Sequence, residues 1–240
     1  MTALPEISRL IGLLDLTSLN DGHDDDIAGL CARALTPLGP VAAVCSWPEF
    51  ATDMVRRMAG RGPKVAVVLD FPEGHGPLEA VLSEARQALA DGAEELDLVW
   101  PYRTWQAGER QTALDLVRAL KQVSGSARLK VILETGVLRD PGAIAAASKD
   151  AIEAGADMLK TSTGKTASGA SLPAAEAMLR AIQASGREVG FKASGGIGTV
   201  DQAAAYLSLA EEIMGAGWAT PDRFRIGASR LLDALLKASP

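Results

Sequence analysis

A closed (β/α)8 barrel is the fold this sequence predicts, and three observations predict it. Short apolar runs recur eight times, the segments between them carry helical apolar stripes, and 240 residues suit one such barrel. Residues are 48% hydrophobic but only 4% aromatic, so the interior must be built from Ala, Val, Leu and Ile, as layered α/β packing requires.

The first run, Leu13 to Thr17, places Asp15 and Thr17 on one parity of a strand. The second, Val41 to Ser46, carries Cys45 near its end, and the third spans Lys64 to Leu69. Leu78, Val81, Leu82, Ala85 and Leu89 follow at helical spacing and predict a stripe against the sheet. Asp91-Gly92-Ala93 is a glycine C-cap leading into the fourth run, Glu95 to Val99, with Asp97 at its centre. The fifth run is Leu129 to Glu134. Ala154-Gly155-Ala156 is a second cap before the sixth, Asp157 to Thr161. Val189 to Lys192 and Arg223 to Gly227 complete the eight. Strand starts lie roughly 25 to 35 residues apart, the length of a right-handed crossover unit, without a Ser/Gly/Pro-rich linker. An open doubly wound sheet would carry a GxGxxG turn after its first strand, and there is none. One barrel domain over residues 1–240 is expected.

A net charge of -6 with a pI near 5.1 argues against nucleic-acid binding or docking on anionic membranes, and favours a small polar metabolite as partner. Cys31 and Cys45 form no CxxC pair or disulfide framework, which fits a reducing cytoplasm. The start Met1-Thr2-Ala3-Leu4-Pro5-Glu6 has no basic n-region, and no apolar run approaches the ~18 residues of a membrane span. Neither secretion nor insertion is expected.

The two caps begin a weak internal echo, Gly92-Ala93-Glu94-Glu95-Leu96-Asp97 against Gly155-Ala156-Asp157-Met158-Leu159-Lys160. Asp97 and Lys160 should therefore stand at equal height on the fourth and sixth strands, facing one another across the interior. Lys160 ends its strand at the C-terminal face, where barrel enzymes place their sites; many such lysines merely snorkel. A nucleophilic amine there needs a pKa depressed by burial and by a second cation, and Lys192, ending the seventh strand, can supply it. Spacing alone does not say which lysine attacks. Asp97 in an apolar strand requires a partner, as a proton carrier or a structural ion pair. Asp15 and Thr17 are candidates for contacting substrate or for supporting the lysines.

Three glycine-bearing loops follow the last three strands: Thr163-Gly164-Lys165, Ser194-Gly195-Gly196-Ile197-Gly198 and Gly227-Ala228-Ser229. Together they match the phosphate cradle that barrels build late in the chain. His23 and His75 are the only histidines, so a three-His zinc site cannot be assembled and no metal is expected. Asp24-Asp25-Asp26, at the start of a helical pattern, complements a helix dipole.

Leu14-Asp15-Leu16-Thr17, Glu95-Leu96-Asp97-Leu98-Val99, Pro101-Tyr102-Arg103, Lys160-Thr161-Ser162-Thr163-Gly164-Lys165, Gly190-Phe191-Lys192 with Gly195-Gly196, and Arg225-Ile226-Gly227-Ala228-Ser229 together resemble deoxyribose-phosphate aldolase, in order and nearly end to end. The Lys-Thr-Ser-Thr-Gly-Lys segment is the specific one. The resemblance implies a class I, cofactor-free aldolase that cleaves 2-deoxyribose 5-phosphate to glyceraldehyde 3-phosphate and acetaldehyde. Lys160 would be the Schiff-base lysine, Lys192 the cation lowering its pKa, and Asp97 the carboxylate relaying protons through water. The substrate contacts implied are Asp15, Thr17 and Thr163, with the phosphate against Gly164, Lys165, Gly195, Gly196, Gly227 and Ser229. A homodimer is also suggested. The sequence departs from the family at Ala193, often Pro, at Arg230, often a small residue, and at the end Lys237-Ala238-Ser239-Pro240, which lacks a terminal tyrosine tail. The alternatives are a Schiff-base aldolase for another phosphorylated carbonyl compound and a catalytically silent, phosphate-sensing barrel.

Overall fold

A computed structural model describes residues 4–239; Met1 to Ala3 of the N-terminal reading and the terminal Pro240 lie outside them. Eight parallel strands close into one barrel: β1 (Leu14–Thr17), β2 (Ala43–Ser46), β3 (Lys64–Leu69), β4 (Glu95–Val99), β5 (Arg128–Ile132), β6 (Met158–Lys160), β7 (Gly190–Ser194) and β8 (Phe224–Ala228). Each coincides with a predicted run to within two residues at either end. The fifth run was expected to reach Glu134, but β5 stops at Ile132. Glu134 takes a left-handed backbone and opens the short helix Thr135–Leu138 instead.

The outer layer owes its close fit to small residues. In the helix Pro141–Ala154, Ile144, Ala147, Ala151, Ile152 and Ala154 are buried, and Gly155 ends it at φ 110° as the predicted cap. The stripe on the helix Leu78–Ala90 holds at Val81, Leu82 and Ala85, while Leu78, in the first turn after Pro77, is exposed. The acidic run behaves as a helix start: Asp26 caps the helix Ile27–Arg33 by accepting Gly29 N–H at 2.8 Å. The N-terminal helix Leu4–Gly12 and a small hairpin pairing Leu35–Thr36 with Gly39–Pro40 also went unpredicted.

Following the strand pairings once around the barrel returns to the starting strand eight residues displaced, the shear of a (β/α)8 barrel. That tilt sorts inward side chains into layers of four drawn from alternate strands. Cys45, Asp97, Lys160 and Gly227 form one layer close to the C-terminal mouth, just below the layer that contains Thr17 and Ser194. Beneath it lie Asp15, Ala66, Lys130 and Lys192, and beneath those Ala43, Glu95, Met158 and Arg225. Asp97 and Lys160 thus share a height, as their equal spacing from Gly92 and Gly155 predicts. Asp15, Glu95, Asp97, Lys130, Lys160, Lys192 and Arg225 thus meet inside the barrel.

Candidate active site

Three carboxylates and four basic side chains occupy these three layers, all buried: Asp15, Glu95 and Asp97 against Lys130, Lys160, Lys192 and Arg225. Asp97 is their hub. Its Oδ2 accepts from Lys160 Nζ and from Lys192 Nζ at 2.8 Å each, and its Oδ1 accepts from Lys130 Nζ at 2.7 Å. Lys130 also lies 2.7 Å from Glu95, and Arg225 donates to Glu95 at 2.9 Å while pairing with Asp15. Lys192 makes its second ion pair with Asp15.

Burial opposes charge on every one of these groups, so the sign of each net shift reports its neighbours. At Asp97 burial is outweighed by the Lys130, Lys160 and Lys192 ammonium groups, which hold the carboxyl well below the usual range. Burial likewise pushes Lys192 down, but Asp15 and Asp97 together carry it above an ordinary lysine. Lys160 moves the other way. Burial lowers it, Asp97 and to a lesser extent Cys45 pull it up, and Lys192 pushes it down again, leaving it below the ordinary value.

Lys160 is also the lysine that meets open space. A cavity of about 360 Å³ at the C-terminal mouth is lined by Thr17, Lys160, Thr163, Gly164, Lys165, Gly195, Gly196, Gly227 and Ser229, together with Arg230. The glycines keep this mouth clear. A Cβ on Gly227 would lie 2.9 Å from Lys192 Cε and 3.0 Å from Ser194 Cβ, and Gly195 holds φ 94° with Gly169 Cα 3.0 Å from where its Cβ would be.

Three residues expected at the site do not line the cavity. Asp97 and Lys192 act on it from its floor through Lys160. Asp15, expected to touch substrate, is fully buried one layer down and spends its oxygens on Lys192 and Arg225; its position is that of a support for the lysine. Lys165 reaches the cavity but bridges its rim, donating to Leu19 O at 2.7 Å and pairing with Asp21. Thr17 Oγ1 donates to Asp15 O at 3.0 Å. Cys45 shares the layer of Lys160, and burial raises its thiol, which keeps it protonated. His23 stacks on Trp47 at 3.8 Å, on the β1 side of the mouth.

Lys130, Glu95, Arg225 and Glu134 escaped the sequence reading. The first three carried a readable signal, because each is charged and stands at inward parity within an apolar strand. Glu95 precedes Asp97 by two residues and Arg225 precedes Gly227 by two, which on a strand means the same face. Glu134 gave none, since glutamate is not a residue that marks a left-handed turn. It sits at φ 54°, ψ 58°, fully buried, in a conformation that costs of order 1 kcal/mol or more for a side-chain-bearing residue.

Among the described residues no helix is long and apolar enough to cross a membrane. A protein from Coccidioides immitis, described as a candidate deoxyribose-phosphate aldolase, is 29% identical, with a TM-score of 0.85 over 98% of this chain and 88% of that one. The deoxyribose phosphate aldolase of Aeropyrum pernix, described as a tetramer, is 25% identical, with a TM-score of 0.78 over 98% and 97% of the two chains. QR15, an aldolase, is 27% identical, with a TM-score of 0.81 over 95% of each chain. The model of the DeoC/LacD family aldolases matches residues 10–237, from before β1 to the last helix, and the chain belongs to that family.

Proposed function

We propose that this aldolase cleaves 2-deoxy-D-ribose 5-phosphate, reversibly, to D-glyceraldehyde 3-phosphate and acetaldehyde through a Schiff base on Lys160. The observation that carries the proposal is a contrast: of three buried lysines bonded to Asp97, Lys160 is the one that lines the cavity and whose amine is pushed down. Nucleophilic addition to a carbonyl needs a neutral amine, and Lys192 and Lys130 are both held charged.

In this mechanism the Lys160 amine adds to C1 of the open-chain sugar, and the carbinolamine loses water to leave an iminium. The C3 hydroxyl gives up its proton, the C2–C3 bond breaks, and its electron pair flows into the iminium to form an enamine. Glyceraldehyde 3-phosphate departs. The enamine takes a proton at the former C2, and hydrolysis of the resulting iminium releases acetaldehyde and the free amine. Asp97 contacts both Lys160 and Lys192, which supports a role in passing protons to and from the Lys160 amine. The sugar phosphate would lie against Gly164, Lys165, Gly195, Gly196, Gly227 and Ser229, with Thr17 and Thr163 nearer the reacting carbons.

Cleavage of 2-deoxyribose 5-phosphate in excess EDTA, followed with a coupled reductase, tests the activity. Borohydride reduction in the presence of acetaldehyde tests the covalent step, with the mass increment expected on Lys160. A chain that is folded yet gives neither cleavage nor adduct would overturn the reading.

Lys192→Leu supplies a test with a definite sign. Removing that charge takes away a repulsion on protonated Lys160, so the Lys160 pKa should rise. The rate requires the neutral amine, so the acidic limb of the pH–rate profile should move to higher pH. A limb that stays put would remove Lys192 from this role.

A further inference from the structure

We propose that Glu134 is a positioning residue for the anionic end of the substrate, holding the 163–166 loop in the form that receives phosphate. The inference rests on the reading of that loop as part of the phosphate cradle.

Glu134 occupies a left-handed backbone that Gly or Asn would adopt with less strain, so its retention calls for a contribution from the side chain. That side chain is wholly buried, and its bonds all run to one short loop. Oε2 accepts from Thr163 N at 3.2 Å and from Thr163 Oγ1, and Oε1 accepts from Thr166 Oγ1 at 3.3 Å. Thr163 Oγ1, with its proton committed to Glu134, in turn accepts from Lys165 N at 3.0 Å. The carboxylate thereby fixes Thr163 N and Thr163 Oγ1 directly and Lys165 N through Thr163, on either side of Gly164 in the stretch that lines the cavity.

The surrounding contacts are built for the same purpose. Thr135 N donates to Thr161 O at 2.9 Å, and Thr135 Oγ1 lies 3.3 Å from Ser162 Oγ. Gly136 lets the two loops close further, since a Cβ there would fall 1.9 Å from Ser168 O. The loop after β5 is thus a mould for the loop after β6, and Glu134 is its polar contact point.

Two substitutions separate positioning from general support. Glu134→Asn suits the left-handed backbone but is one methylene too short to reach the loop. Glu134→Gln keeps a carbonyl oxygen for Thr163, and its amide can donate to Thr166 Oγ1, whose proton can then turn wholly to Ser168 O, 3.0 Å away. The Kd for inorganic phosphate should therefore rise about tenfold in Glu134→Asn and return to within about threefold of the original in Glu134→Gln. KM for 2-deoxyribose 5-phosphate should follow, while kcat/KM for unphosphorylated 2-deoxyribose stays within about twofold. Thr163→Val, which breaks the link from the loop side, should repeat the Asn result for the Kd of inorganic phosphate and keeps the test open if Glu134→Asn does not fold.

Phosphate affinity unchanged in Glu134→Asn, no measurable phosphate binding by the unaltered protein, or parallel loss on both sugars would each overturn the proposal. Failure of the unaltered protein to cleave any sugar would instead remove the aldolase substrate reading, and the phosphate titration would still decide the role of Glu134.

Discussion

Lys160→Ala is expected to abolish turnover of 2-deoxyribose 5-phosphate and borohydride trapping with acetaldehyde, while leaving the barrel folded. Both halves come from the same position. Without the amine there is no iminium to accept the C2–C3 electron pair, and the neighbouring lysines cannot substitute because carboxylates hold them protonated. Deleting a nucleophile that works as one unit with its partners costs roughly 10⁴-fold or more in kcat. The fold should tolerate the loss, because Lys160 lines the cavity and water can fill the vacated space. It should also tolerate it because Asp97 keeps two ammonium partners. Activity assay, adduct mass and thermal unfolding on the same preparation decide it. A trapped adduct in Lys160→Ala would move the nucleophile elsewhere, and a large drop in Tm would mean that Lys160 is charged and needed in the ion-pair network.

Asp97→Asn should do the reverse to stability and damage the rate as well. The amide presents one oxygen and an NH2 group to three amines that now share two carboxylate oxygens. Breaking a buried pair in this way costs about 3–5 kcal/mol, a large share of the roughly 5–15 kcal/mol that stabilises a domain. The rate should fall about 100-fold or more, as for loss of a positioned acid–base group. The pH dependence adds a sign. Asp97 is the main influence raising the Lys160 pKa, so its removal should lower that pKa and move the acidic limb of the residual activity to lower pH. That is opposite to the shift expected for Lys192→Leu. A variant with normal stability and a rate within a few-fold of the original would show that Asp97 is neither hub nor proton carrier.

The barrel was legible because its strands are apolar and evenly spaced, and because glycine caps such as Gly155 sit where helices must turn into strands. The shared height of Asp97 and Lys160 was legible too, since equal spacing from a turn survives folding when the strands are alternate members of a barrel. The lower rungs were not. Lys130 and Arg225 stand in different runs, and only the register shows that they converge on Asp97, Glu95 and Asp15. Asp15 was placed too close to the substrate for a related reason: parity tells which way a side chain points and not how deep its layer lies. Glu134 was invisible because its conformation is imposed by tertiary contacts with the loop after β6 and contradicts its local preference.

The charge ladder inside this barrel also limits how its sequence can drift. Replacing one rung, for example Arg225 or Glu95, by an apolar residue strands an ion in the interior. Replacing both together by well-packed apolar groups is often neutral or stabilising. The two rungs are therefore strongly epistatic: each single change lies in a deep fitness valley, although the double change lies on nearly level ground. An interior of this kind acts as a ratchet on its own ancestry. Descendants can shed charges in matched pairs far from Lys160, but they cannot pass through the intermediate that loses one charge at a time.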